Sequence, residues 1–173
     1  KSLDMLWLAE QGYRVTGIEL SERAAEDFFA ENDLVFERIT ASGMTIYRGR
    51  MIEIWAADFF KVTQRDLPRM DAVYDRAALI ALPPDMRPTY AEHFTQLVDE
   101  GTPVLLITLE YPQQEMKGPP FSVTGEEVDE LFSSAFEVEH LLQEECLSKE
   151  PRFREKGLTR MEEQVFLLRK RGS

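Results

Sequence analysis

Residues 73–84 read Val73-Tyr74-Asp75-Arg76-Ala77-Ala78-Leu79-Ile80-Ala81-Leu82-Pro83-Pro84. A core-like strand runs into an Asp-Arg pair, a short apolar segment follows, and two prolines close it. Proline is tolerated in a first helical turn, so Pro83-Pro84 predicts the start of a helix that continues to about Val98. Charges this close behind a core strand are costly unless they meet a partner or a ligand. In open α/β sheets ligands bind outside the carboxyl ends of strands. The stretch therefore reads as a strand-to-helix junction of such a sheet, with Asp75 and Arg76 as the first candidate site residues.

Reading toward the carboxyl end, Gly101-Thr102-Pro103 breaks the chain, and Val104 to Leu109 is apolar on both faces, as in a central parallel strand. Tyr111 to Val123 is a loop rich in Pro, Gln and Gly. Thr124-Gly125-Glu126-Glu127 is a capping box that predicts a helix to about Ser134. Phe136 to Leu142 and Gln164 to Leu168 read as two closing strands, joined by a basic loop, Lys149 to Arg160.

Reading toward the amino end, Asp71 to Tyr74 is a strand. Met44 to Tyr47 and Met51 to Ala56 alternate as strands around an Arg48-Gly49 turn, and Asp58-Phe59-Phe60 follows directly. Phe36 to Arg50 exceeds a minimal connection, and its sequence assigns it no role. Ser21 caps a helix to about Asn32 with Ala24, Ala25, Phe28 and Phe29 inward. Arg14 to Leu20 is a short strand. Before it, Leu3, Leu6, Trp7 and Leu8 form a helical stripe that ends at Gly12, a C-cap residue. A sheet that opens on a helix without a preceding strand suggests a missing N-terminal portion carrying a strand and a loop. The expected fold class is α/β, a doubly wound, mostly parallel sheet with a C-terminal antiparallel hairpin.

The length of 173 residues suits one domain, and 43% hydrophobic content suits a packed core. Twenty basic residues against 32 acidic ones give a net charge of −12, which repels nucleic acid and anionic membranes and favours a small-molecule ligand. Cys146 is the single cysteine, so no intrachain disulfide forms, consistent with a reducing, cytoplasmic setting. No apolar run approaches the roughly 18 residues of a membrane span. A monomer is the simplest expectation. His93 and His140 fall in no nucleophilic triad or zinc spacing, and no metal is expected.

Three successive strand ends carry acids. Glu19 suits the two hydroxyls of a ribose, which need a bidentate acceptor, and equally suits a plain exposed charge. Asp58 with Phe59 suits an adenine amino group and ring, or a turn cap and a core phenylalanine. Asp75-Arg76 suits a ligand or an internal salt bridge. Together the three outline a nucleoside pocket along one sheet edge. The 111–123 loop is a lid or a surface loop. Arg152, Arg154, Lys156 and Arg160 form a basic patch that attracts an anionic substrate or is simply solvated.

These segments resemble, in order and over nearly the whole chain, the bacterial type of the thiopurine S-methyltransferase family. Lys1 to Gly12 resembles the helix after that family's cofactor loop, and Gly17-Ile18-Glu19-Leu20-Ser21 its ribose-binding strand end. Asp58-Phe59-Phe60, Tyr74-Asp75-Arg76-Ala77-Ala78-Leu79, Gly118-Pro119-Pro120-Phe121 and Arg152 to Thr159 resemble further family segments. The resemblance implies a class I, S-adenosylmethionine-dependent methyltransferase acting on a small-molecule thiol and releasing S-adenosylhomocysteine. Glu19 would hold the ribose, Asp58 and Phe59 the adenine. Arg76, with Asp75 beside it, would lie at the boundary of cofactor and substrate. Arg152, Pro119 and Pro120 would face the thiopurine. The family's glycine-containing cofactor loop and N-terminal lid have no counterpart in these residues. Other readings are a methyltransferase for selenite, tellurite or another soft nucleophile, an NAD-dependent oxidoreductase, and a non-catalytic cofactor-binding scaffold.

Overall fold

The computed structural model describes residues 3–172. Lys1 and Ser2, which the sequence places at the start of the first helix, lie outside the described residues. The chain divides between Asp66 and Leu67 into two compact units.

The first unit carries helix α1 (Leu3–Glu10), strand β1 (Val15–Glu19), helix α2 (Glu22–Glu31) and strands β2 (Glu37–Ala41), β3 (Met44–Arg48) and β4 (Ile52–Ala56). Its sheet runs in the order β1-β4-β3-β2. β1 and β4 are parallel, with Glu19 opposite Ala56, whereas β2–β3 and β3–β4 are antiparallel. Ser21 caps α2 as expected, its hydroxyl accepting from the Ala24 amide at 3.2 Å. Ala25, Phe28 and Phe29 are buried against Tyr47, Ile52 and Ile54.

Two expectations change here. On α1, Leu3 and Trp7 are exposed, and the face that packs inward is Met5, Leu6 and Ala9. Gly17 allows this docking, because a Cβ there would stand 2.9 Å from the Met5 sulfur. The unassigned 36–50 segment is a β2–β3 hairpin. Ser42 and Gly43 turn it with φ of 51° and 75°, the doubly positive geometry that two-residue hairpins prefer.

The second unit carries β5 (Val73–Asp75), α3 (Ala78–Ala81), α4 (Arg87–Leu97), β6 (Pro103–Glu110), α5 (Gly125–Phe132), β7 (Phe136–Glu145), α6 (Pro151–Glu155) and β8 (Glu162–Lys170). The sheet order is β5-β6-β8-β7, with β5–β6 parallel and the rest antiparallel. The α/β class and the closing hairpin stand, and both sheets are mixed. α4 buries Tyr90, Ala91, Phe94 and Leu97, and Phe94, Phe132 and Phe136 form an aromatic cluster with centroid separations of 5.9–6.2 Å.

Differences are local. The Pro84 start is a 3-10 turn, Pro84–Met86, leading into α4. The short apolar segment after Arg76 forms the one-turn helix α3. The basic loop contains α6, which buries only Phe153. The capping box is half made. Thr124 accepts from the Glu127 amide at 3.2 Å, and the Glu127 carboxylate goes to Arg87.

Candidate functional site

In the first unit the parallel pair β1–β4 brings two candidate strand ends side by side. The Ala57 amide donates to the Glu19 carbonyl at 2.9 Å. The Glu19 side chain accepts from the Ser21 amide at 2.9 Å, which fixes the carboxylate at the mouth of β1. A carboxylate offers about four lone-pair sites, so acceptor capacity for two hydroxyls is retained. Asp58 caps the 3-10 turn Phe59–Lys61, accepting from the Phe60 amide at 3.1 Å. Its other oxygen lies 3.9 Å from the Lys61 ammonium. Beside it is a cavity of about 300 Å³ lined by Ser42, Gly43, Met44, Ala56, Ala57, Asp58, Lys61 and Asp66. Phe59 is half-buried, edge-on to Phe60 at 5.6 Å. This donor and acceptor set fits a nucleoside, and the β2–β3 turn, to which the sequence assigned no role, walls the cavity beside Asp58.

In the second unit Asp75 ends β5 almost fully buried, 6% exposed. It pairs by carboxylate with Tyr90, whose hydroxyl donates at 2.6 Å, and with the Ala78 and Leu79 amides at 3.0 and 3.4 Å. Burial raises its pKa above the ordinary carboxylate value, and these hydrogen bonds oppose the rise. The internal Asp75-Arg76 salt bridge weighed from sequence is replaced by these contacts, and Arg76 reaches Glu163 on β8 at 3.5 Å. Glu163 carries no recognisable motif and was not legible as a site residue.

The loop after β6 is cross-linked throughout. Tyr111 donates to the Pro120 carbonyl at 2.6 Å, and its own amide donates to Ser122 Oγ at 3.0 Å. Gln113 bonds the Met116 carbonyl and the Ser122 amide. Glu115 accepts from both the amide and the hydroxyl of Thr159, at 2.9 and 2.8 Å. The Gly118–Pro119 and Pro119–Pro120 bonds are cis. Pro119 is exposed and Pro120 half-buried. Of the two sequence readings, a tethered surface loop describes it better than a loose lid.

Tyr111 also joins Leu147, Phe153, Leu158 and Met161 in a small core, against which Cys146 packs. Arg152 lies on that core's outer surface, 4.6 Å over the Phe153 ring and 3.0 Å from Glu150. Burial pushes the pKa of the Cys146 thiol up to about 11, with the nearby Glu163 charge adding to the rise. Arg152 thus touches this small core through Phe153 and Pro120 is tied to it through Tyr111, while Arg76 meets Glu163 on β8. Among the described residues no group of three or more His, Cys, Asp or Glu side chains is placed to hold a metal.

Solved structures place this arrangement in a class. An S-adenosylmethionine-dependent methyltransferase from Methanosarcina mazei matches with a TM-score of 0.65 at 16% identity, over 97% of this chain and 87% of that one. A 1,6-didemethyltoxoflavin-N1-methyltransferase from Burkholderia thailandensis, solved with its ligand and S-adenosylhomocysteine, matches with a TM-score of 0.60 at 19% identity, over 99% and 67%. The fold is that of the class I, S-adenosylmethionine-dependent methyltransferases.

Sequence likeness makes the assignment narrower. The family model for thiopurine S-methyltransferase (TPMT) matches residues 1–171. The thiopurine S-methyltransferase of Pseudomonas fluorescens strain Pf0-1 is 46% identical over 169 residues, 98% of this chain and 77% of that protein. Its counterpart in Nitrosospira multiformis is 40% identical over 168 residues, 97% of this chain and 76% of that protein. The chain belongs to the thiopurine S-methyltransferase family, and as an enzyme it uses S-adenosylmethionine as methyl donor.

Proposed function

We propose that this enzyme methylates the sulfur of thiopurines or similar aromatic and heterocyclic thiols. The observation that carries the reading is the family match over residues 1–171. We further propose that residues 1–173 belong to a single methyltransferase domain, and that the enzyme is a cytoplasmic monomer without nucleic-acid or membrane partners.

S-adenosylmethionine, when bound, supplies the methyl group as a sulfonium. The chain supplies position, and fixing an acceptor in line accounts for roughly 7–11 kcal/mol of barrier at most. Glu19 would hold the ribose hydroxyls, and Asp58 and Phe59 the adenine. Arg76 is the family resemblance's candidate for the boundary of cofactor and acceptor. Arg76 and Arg152 place positive charge beside the acceptor sulfur, which favours the thiolate. An aromatic thiol ionises readily, so no strong base is required. Asp75 is a positioning residue, its buried carboxylate committed to Tyr90 and the first amides of α3, and it holds Arg76 at the strand end. Pro119 and Pro120 form a stiff wall against the acceptor ring.

The test is methyl transfer from labelled S-adenosylmethionine, with 6-mercaptopurine and selenite offered side by side. Turnover of the thiol above selenite supports the proposal. Preference for selenite, or tight S-adenosylhomocysteine binding without thiol turnover, reassigns the acceptor.

A further inference from the structure

Arg87 appears in no motif, yet it is the largest fully buried side chain among the described residues, 1% exposed. A buried guanidinium is costly unless paired and hydrogen-bonded. Its Nη1 donates to both Glu127 oxygens at 2.7 and 2.8 Å, tying α4 to α5. Its Nε donates to the Leu82 carbonyl at 3.0 Å, tying α4 to the residue that ends α3. Nη2 is buried with no hydrogen-bond acceptor among the described residues. The guanidinium carbon stands 5.9 Å over the centre of the Phe121 ring, within reach of a cation–π interaction.

Phe121 then carries the linkage into the proline loop. Its amide donates to the Ile80 carbonyl at 2.7 Å. Its ring lies on Gly118, where a Cβ would come within 2.6 Å of Cδ1 and where φ is +82°. Gly118 and Phe121 bracket Pro119 and Pro120. On the other side of the prolines, the Tyr111 hydroxyl holds the Pro120 carbonyl. A mere structural ion pair between α4 and α5 does not need the Phe121 contact.

We propose that Arg87 is a positioning residue for the acceptor site. Clamped by Glu127 and Leu82, it fixes Phe121 and through it the height of the Pro119-Pro120 wall over the thiol ring. This rests on the reading that Pro119 and Pro120 face the acceptor. Lysine presents no planar fork, so Arg87→Lys keeps the charge and loses the simultaneous contacts. Glu127→Gln keeps the shape of the partner and loosens the clamp if Arg87→Lys fails to fold.

The experiment measures KM and kcat for 6-mercaptopurine, the S-adenosylhomocysteine Kd by calorimetry, and thermal unfolding, for both variants and for Pro120→Ala. The expected result is a thiol KM raised about five-fold or more in every folded variant, with the S-adenosylhomocysteine Kd within about two-fold of the parent. An unchanged thiol KM in Arg87→Lys and Glu127→Gln, with only the melting temperature lowered, overturns the role of Arg87. The underlying loop reading then survives if Pro120→Ala still raises KM. An unchanged KM in Pro120→Ala overturns that loop reading, and the role of Arg87 with it. Parallel loss of thiol and S-adenosylhomocysteine affinity makes Arg87 a general structural residue and also overturns the proposal.

Discussion

Tyr90→Phe isolates the contact that holds the end of β5. The Tyr90 hydroxyl donates to Asp75 at 2.6 Å, and the two residues are 3% and 6% exposed. The substitution retains the ring, which stacks on Phe94 at 5.7 Å, and removes one donor from a buried carboxylate. A hydrogen bond to a charged group contributes about 1.5–3 kcal/mol, and a neutral one about 0.5–1.5 kcal/mol. Burial already raises the Asp75 pKa, and the Tyr90 bond is foremost among the contacts opposing that rise. The variant therefore raises it further. A carboxyl whose folded pKa exceeds its unfolded value costs nothing below the unfolded value, and lowers stability as pH rises through the folded one. Where the carboxyl is ionised the substitution removes the stronger bond, and where it is protonated the weaker. The expected cost is about 1.5–3 kcal/mol on the alkaline side of the Asp75 titration, or about 3–12 °C in melting temperature, falling toward about 0.5–1.5 kcal/mol on its acid side. Urea unfolding followed by circular dichroism from about pH 4 to pH 8 measures it. In an Asp75→Asn background the same substitution should cost the smaller amount at every pH. A pH-independent cost with Asp75 present, or one below 0.5 kcal/mol at neutral pH, refutes the argument.

Glu19→Ala removes a charged acceptor and should weaken S-adenosylhomocysteine by about 10- to 150-fold, from about 1.5–3 kcal/mol, with little change in unfolding; parent-like affinity by calorimetry would end the ribose assignment. Arg152 is exposed, with 71% of its side chain accessible, so Arg152→Ala should shift stability by no more than about 0.5 kcal/mol. Its thiol KM should rise several-fold at constant S-adenosylhomocysteine affinity, and equal loss of both places Arg152 elsewhere. Cys146, with its pKa pushed up to about 11, should resist iodoacetamide at pH 8 in the folded protein and react once it is unfolded in urea; rapid labelling of the folded chain contradicts its packing.

The elements that could be read from the sequence are those whose burial leaves a period. α2 shows its inward face in Ala25, Phe28 and Phe29, and β6 carries the apolar run Val104 to Ile107. β2 was invisible because only Ile39 of its five residues is even half-buried, so no alternation separates it from a loop. α6 was invisible because five residues with one buried side chain complete too few turns to show a face. Contacts distant in sequence leave no local trace at all. Arg87 and Glu127 lie 40 positions apart and Glu115 and Thr159 lie 44 apart, yet these pairs decide how the proline loop is held.

The strand-end acids stood out because a carboxylate after an apolar run needs an explanation, but two explanations were open for each of them. Burial separates what composition could not. Asp75 has both oxygens committed and almost no exposed surface, so its capping and anchoring contacts use it up, and any influence on the reaction passes through Arg76. Asp58 also caps a turn, through one oxygen, but its side chain keeps 39% of its accessibility and lines a cavity. A cap that leaves acceptor capacity facing open space is compatible with a ligand. The same residue type, at the last residue of β5 and two residues past the end of β4, is thus driven toward support in one unit and left available for recognition in the other. What differs is the depth at which the strand ends, a property set by the helices packed over it.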